Sequence, residues 1–186
     1  MNGTAIRRHA NGYQRKDEAI RACRRFAAIG VELSSFCGWE FPPYFSRLAL
    51  VRSYLDQGRL DEAQAEITIL RGIIDGVAAD EVAFSRPAAA QLASLQGTLS
   101  LKGGDATAAA GHFQRAIDIL TPRQHPQSPH LASARADLAL ALAGRGDAAG
   151  ARALAAQARA AFAQHPAVAP HLRQSLAAVE RLLAAR

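Results

Sequence analysis

The stretch "LDQGRLDEAQAEI", residues 55–67, returns twice further along the chain, as "LKGGDATAAAGHF" (101–113) and "LAGRGDAAGARAL" (142–154). Each copy carries a glycine in a polar turn (Gly58, Gly104, Gly146) and an alanine five residues beyond it (Ala63, Ala109, Ala151). A weaker copy, "QRKDEAIRACRRF" (14–26), places Ala19 in the same role, and the four alanines are 44, 46 and 42 residues apart. A near-constant period of this length is the mark of stacked supersecondary units. Apolar residues then recur at spacings of three and four: Ile67, Leu70 and Ile74; Phe113, Ala116, Ile117 and Leu120; Leu154, Ala155, Ala158 and Phe162. That is the helical period, so each unit reads as a helix, a tight turn and a second helix.

Punctuation along the chain fits this partition. Pro43 and Pro87 suit first-turn positions, and Ser128-Pro129 reads as an N-cap followed by proline at the first helical residue. Asp61, Asp105 and Asp147 fall where negative charge favours the start of a second helix. The predicted first helices span 43–57, 87–102 and 129–144, and the second helices 60–75, 105–121 and 147–163. A last helix over 167–185 has Leu172, Leu176, Val179 and Leu183 on one face and Arg173, Arg181 and Arg186 on the other, as a capping helix requires. Before the first full unit, residues 15–37 form a half-unit with apolar residues on two faces, Ile20, Cys23, Ala27 and Val31 on one and Phe26, Ile29, Leu33 and Phe36 on another. The expected organisation is a basic, flexible stretch over 1–14 and one helical-repeat domain over 15–186.

Composition agrees with an all-α class. Apolar residues make up 49 % of the 186, and alanine, the strongest helix former, leads over the β-branched residues that favour sheet. No run of eighteen uncharged apolar residues exists to span a membrane. "MNGTAIRRHANGYQRKDE" has basic residues but no apolar core behind them, so no secretory signal is read and a cytoplasmic location is expected. Cys23 and Cys37 are too few for a disulfide framework and are read as reduced and packed. The net charge of +6 is concentrated in residues 1–25, which hold seven basic against two acidic side chains, while the rest holds fifteen against fourteen. A basic stripe that would follow a phosphate backbone is absent from the repeated body.

With its recurring turn, its alanines, the small residues Gly97 and Ala139 on the preceding helices, Tyr54 and Pro122, the chain resembles the tetratricopeptide repeat family over residues 44–165. The long units and the loops "HPQSPHL" and "HPAVAPHL" look like the kinesin-light-chain type and its bacterial regulatory relatives. Val51 departs from the small residue of that pattern, and Ser100 and Leu142 replace its tyrosine. The resemblance implies a right-handed superhelical array of antiparallel hairpins, with Gly97 and Ala139 facing Ala109 and Ala151. It also implies a concave face that binds a peptide or protein segment. Carried onto this chain, that face consists of Phe45, Leu48, Arg52 and Leu55; Gln91, Ser94, Thr98, Leu101 and Lys102; and Ser133, Ala136 and Leu140. No lysine/asparagine clamp for a terminal carboxylate is visible, so an extended or helical segment with apolar anchors is the expected ligand. Similar bacterial arrays accompany signalling kinases and transcription regulators, which implies a regulatory role inside a larger protein.

Other features are weighed against plainer readings. The segment "FCGWEFPPYF" offers Trp39, Phe41 and Tyr44 as an aromatic anchor, but a hydrophobic plug between the N-terminal helix and the first full unit is the preferred reading. His125/His130 and His165/His171 have spacings found among metal ligands, yet they lie in loops without further ligands, so no metal site is assigned. Asp61-Glu62 and Asp80-Glu81 read as solvated charge. There is no phosphate loop after a strand, no serine elbow and no HExxH, so no enzyme activity and no cofactor are expected. Two alternatives to a peptide-binding module remain: a nucleic-acid-associated regulator using the basic N-terminus, and a homodimeric scaffold joined through the N-terminal helix.

Overall fold

The computed structural model describes residues 41–76 and 82–185, and among these every regular element is helical. The elements are α1 (Phe41–Asp56), α2 (Leu60–Asp75), α3 (Val82–Lys102), α4 (Ala106–Leu120), α5 (Pro129–Gly144), α6 (Ala148–Ala163), a 3-10 turn (Pro170–Arg173) and α7 (Gln174–Ala184). The half-unit predicted over 15–37, with Cys23 and Cys37, lies outside the described residues, as does the basic N-terminal cluster. The chain divides into two compact units, Met1–Asp75 and Gly76–Arg186.

In the first unit α1 packs on α2. Tyr44, Leu48, Leu50, Val51, Tyr54 and Leu55 are buried from α1, and Ala63, Ile67 and Leu70 from α2. Arg47 Nη1 donates to Glu66 Oε2 at 2.6 Å across the two helices, with both side chains less than one-fifth exposed. In the second unit α3 pairs with α4 and α5 with α6, and α5 also packs on α4, joining the two hairpins. Helix α5 is an inner helix. Leu138 and Ala141 meet Ala109, Ala110 and Phe113 of α4, while Ala132, Ala136, Ala139 and Ala143 join Ala151, Ala155, Ala158 and Phe162 of α6. Alanine on so many faces lets three neighbours approach α5 closely, because helix separation is set by side-chain size at the crossing.

The repeated sequence folds three times into the same turn. Gly58, Gly104 and Gly146 have φ of +71°, +87° and +90°, a left-handed conformation that a Cβ opposes. Each closes its helix by two backbone bonds. The residue after the glycine donates to the carbonyl five residues back (Arg59 to Tyr54, Asp105 to Ser100, Asp147 to Leu142, all at 2.9 Å). The glycine N–H donates three residues back (to Leu55, Leu101 and Ala143). This is the Schellman arrangement, which satisfies the orphan carbonyls of a helix end.

Two copies then restart at once. Asp105 and Asp147 are N-caps whose carboxylates accept from Ala108 N at 2.8 Å and Gly150 N at 2.9 Å. The first copy has Arg59 instead; its guanidinium lies 4.7 Å from the Tyr54 ring centre and donates to Glu62 at 2.6 Å. Asp105→Ala and Asp147→Ala are each expected to cost about 1 kcal/mol in urea unfolding. Asp61→Ala, which removes first-turn charge without a cap, should cost only about a few tenths.

Two expectations need correction. Helix α3 begins at Val82, so Pro87 lies inside it and not in its first turn; the ring removes one internal N–H, and the helix continues on both sides. The last helix is interrupted: prolines at 166 and 170 cut its beginning to a 3-10 turn, and regular α-helix starts only at Gln174. The resemblance sets Gly97 against Ala109, and the atoms nearest to it belong to Phe113. A Cβ built on it would stand 2.5 Å from the Phe113 ring, one turn further along α4. The reason is antiparallel register: Gly97 lies seven residues before the turn glycine and Phe113 nine after it, so both are two turns from the bend.

Candidate protein-binding surface

Turn chemistry and packing leave the exposed faces of the first helices as the surface to consider. On α1, Leu48 and Leu55 are buried and Arg52 is exposed; Phe45 lies on the same helix. Tyr44, offered with Trp39 and Phe41 as an aromatic anchor, is buried at 2 % exposure. Burial pushes its hydroxyl up to about 12, against the opposing charge of Arg52. Phe41 is the first residue of α1, and Trp39 lies outside the described residues.

On α3, Gln91, Ser94 and Thr98 share one face at helical spacing and are all half-exposed. The Thr98 hydroxyl donates back to the Ser94 carbonyl at 3.0 Å. Lys102, the last residue of α3, is exposed; Leu101 is partly drawn into the cluster between α4 and α5. On α5, which touches α3, Ser133 is half-exposed. Ala136 has no accessible surface, and Leu140 packs against the cluster that contains Leu176 and Val179 of α7. Gln91, Ser94, Thr98 and Ser133 are therefore half-exposed polar residues on two helices that touch. The structure places Leu48, Leu55 and Ala136 in the interior.

Residue-type reasoning overlooked the most unusual polar contact. Asp137 of α5 accepts a hydrogen bond from the Ser175 hydroxyl of α7. Asp137 keeps some accessible surface, and the contact is part-buried. Burial pushes the carboxyl up to about 6, with the Ser175 hydrogen bond acting in the other direction. A signal was present: Asp137 is the sole acidic residue in "PHLASARADLALALAG".

His125 and His165 lie in loops as expected, whereas His130 belongs to the first turn of α5 and His171 to the 3-10 turn; all four are exposed, and no cluster of three metal-ligating side chains occurs among the described residues. His125 Nδ1 accepts from Gln127 N at 3.2 Å, a local turn contact. Ser128 does cap α5 by position, but its hydroxyl donates to Gln124 at 2.7 Å and not toward the helix. An open depression between α6 and α7 is lined by Arg152, Ala155, Arg159, Glu180, Leu183 and Ala184, with the Arg159–Glu180 ion pair crossing it at 2.7 Å. Exposed pairs of this kind contribute little to stability. No helix among the described residues is long and apolar enough to cross a membrane. The surfaces on which the nucleic-acid and homodimer alternatives rest belong to residues outside those described.

Comparison with protein-family models and with curated proteins finds no match to this chain.

Proposed function

We propose that this chain is a tetratricopeptide-like array whose hairpins stack into a right-handed superhelix, and that it serves as a non-catalytic module binding a peptide or protein segment on its first-helix face. The observation that supports this most directly is the threefold recurrence of one closed turn, with α5 seated on α4 so that consecutive hairpins share a core. Such stacking leaves the first helices with a common solvent-facing side, which is the side helical arrays offer to ligands. Ser94, Thr98 and Ser133 provide polar groups for a segment lying across α3 and α5, and Lys102 provides a cation at the end of α3. A role as the regulatory part of a larger signalling or transcription-control protein, in the bacterial cytoplasm, follows from the same resemblance.

The test is selection of peptides from a displayed library against the full chain, followed by titration of the selected peptides. Thr98→Arg with Ser133→Arg is expected to weaken binding more than about tenfold, the loss of one or two contacts at about 1.4 kcal/mol per decade. Arg115→Glu, on the exposed side of α4, should leave it unchanged. Selected peptides that bind the double variant as well as the parent would assign the site elsewhere, and failure to select any would count against the module itself.

A further inference from the structure

The first-helix face of the second unit carries a single acidic residue on α3 and α5 together. Helix α3 has no aspartate or glutamate, and Asp137 is the only one in α5. Asp137 follows Ser133 by four residues and precedes Gly144 by seven, so the three share one side of the helix. Helix α3 borders that side at its far end, where a Cβ on Gly144 would stand 3.9 Å from Leu101 Cδ1. Helix α7 borders it at Asp137, through the Ser175 hydroxyl. The carboxylate therefore stands in line with Ser133, on a helix that touches the one carrying Ser94 and Thr98.

Its two oxygens differ. Oδ1 accepts from Ser175, which fixes the orientation of the side chain. Oδ2 has no hydrogen-bond partner among the described residues and keeps accessible surface. No described cation pairs with either oxygen. Arg135 of the same helix donates to the Pro126 carbonyl at 2.7 Å, and Arg173 donates to the carbonyls of Phe162 at 3.1 Å and His165 at 2.8 Å. Arg159 pairs with Glu180, while Lys102, Arg152 and Arg181 are exposed and make no ion pair among the described residues. A carboxylate oriented by a hydroxyl, open at one oxygen and without a counter-charge is complementary to a donor that carries positive charge.

We propose that Asp137 selects the ligand of this surface by accepting at Oδ2 a hydrogen bond from a lysine or arginine side chain of the bound segment, a role that rests on the reading of the first-helix face as the binding face. Because Ser175 already holds Oδ1, the carboxylate has little freedom left to lose when the ligand arrives. The half-exposed hydroxyls of Ser94 and Ser133 suit polar groups that flank the basic residue. An acidic residue at the same position is disfavoured, since it would bring like charge to Asp137.

Parallel selections from one random-peptide display library, against the full chain and against its Asp137→Asn variant, test the assignment. Asparagine keeps an acceptor for Ser175 and removes the charge. Wild-type selections are expected to share a lysine or arginine at one position, and those peptides should bind Asp137→Asn about tenfold more weakly. Selections on Asp137→Asn should lose that preference, and selections on Asp137→Lys should replace it by aspartate or glutamate. One measurement leaves the protein unaltered: exchanging the shared basic residue of a selected peptide for methionine should also cost about tenfold, and should add little to the loss already seen with Asp137→Asn. Wild-type selections without a shared basic residue overturn the proposal, as does a basic residue that Asp137→Asn still favours. Peptides weakened by Thr98→Arg with Ser133→Arg that bind Asp137→Asn like the parent overturn the role of Asp137 and leave the binding face in place. Peptides indifferent to all these variants, or a library that yields none, overturn the binding face and the role of Asp137 together.

Discussion

Gly97→Ala lowers the stability of the second unit although alanine is the better helix former. In an exposed helix interior the substitution would stabilise by about 1 kcal/mol. Here the new Cβ falls 2.5 Å from a ring carbon of Phe113, which is itself buried at 2 % exposure and has nowhere to withdraw. Overpacking of this kind costs about 1–3 kcal/mol, and Gly97→Val, with two further carbons, should reach the upper end or exceed it. Phe113→Ala, which empties the seat between α3, α4 and α5, should cost about 3–5 kcal/mol. The decisive arm is the double variant. With the ring gone, Gly97→Ala is expected to become neutral or stabilising, giving a coupling of about 2 kcal/mol or more between the two sites in urea unfolding. Additive effects would show that the ring and the glycine do not share a packing contact.

Val179→Asp carries the other large effect. Val179 has no accessible surface and belongs to the cluster formed by α5, α6 and α7. A carboxylate placed there has no described cation to meet it, and an uncompensated buried charge costs about 3–5 kcal/mol. Because α7 contributes no helix to any hairpin, the expected result is release of α7 with the α3–α6 core still folded, as stability in stacked arrays is partitioned among neighbours. Proteolysis should then cleave readily at Arg173 and Arg181 while the preceding helices resist. Ala177→Asp, exposed on the same helix, should change stability by less than about 0.5 kcal/mol and leave cleavage slow. Equal resistance to protease in both variants would show that Val179 is not a determinant of seating.

The helix pairs were legible because period and punctuation agree. Five of the six hairpin helices begin within about two residues of their predicted starts. The exception, α3, starts five residues earlier than its proline suggested, because a single missing N–H does not outweigh the bonds on either side. The candidate surface was less legible. A residue's face on a helix follows from its number, but whether another element covers that face does not. Ala136 and Leu140 were read as facing a ligand; α7 contributes Leu176 and Val179 to their cluster. Nothing in the spacing of α5 pairs Asp137 with Ser175, which a separate helix carries.

The positions seven before and nine after each turn glycine show where the division falls. They are Val51 and Ile67, Gly97 and Phe113, and Ala139 and Ala155, all buried among the described residues. Local sequence determined the helices, their Schellman turns and the carboxylate caps of two of them, because these depend on backbone conformation and on partners within five residues. Through the 3.6-residue period it also marked buried positions of the second helices, such as Ile67, Phe113 and Ala155. Which of those interior residues meet, how a large ring is matched by a missing side chain, and which charge loses its water were decided only when separate helices came together, because packing volume and desolvation are properties of the neighbours as much as of the residue.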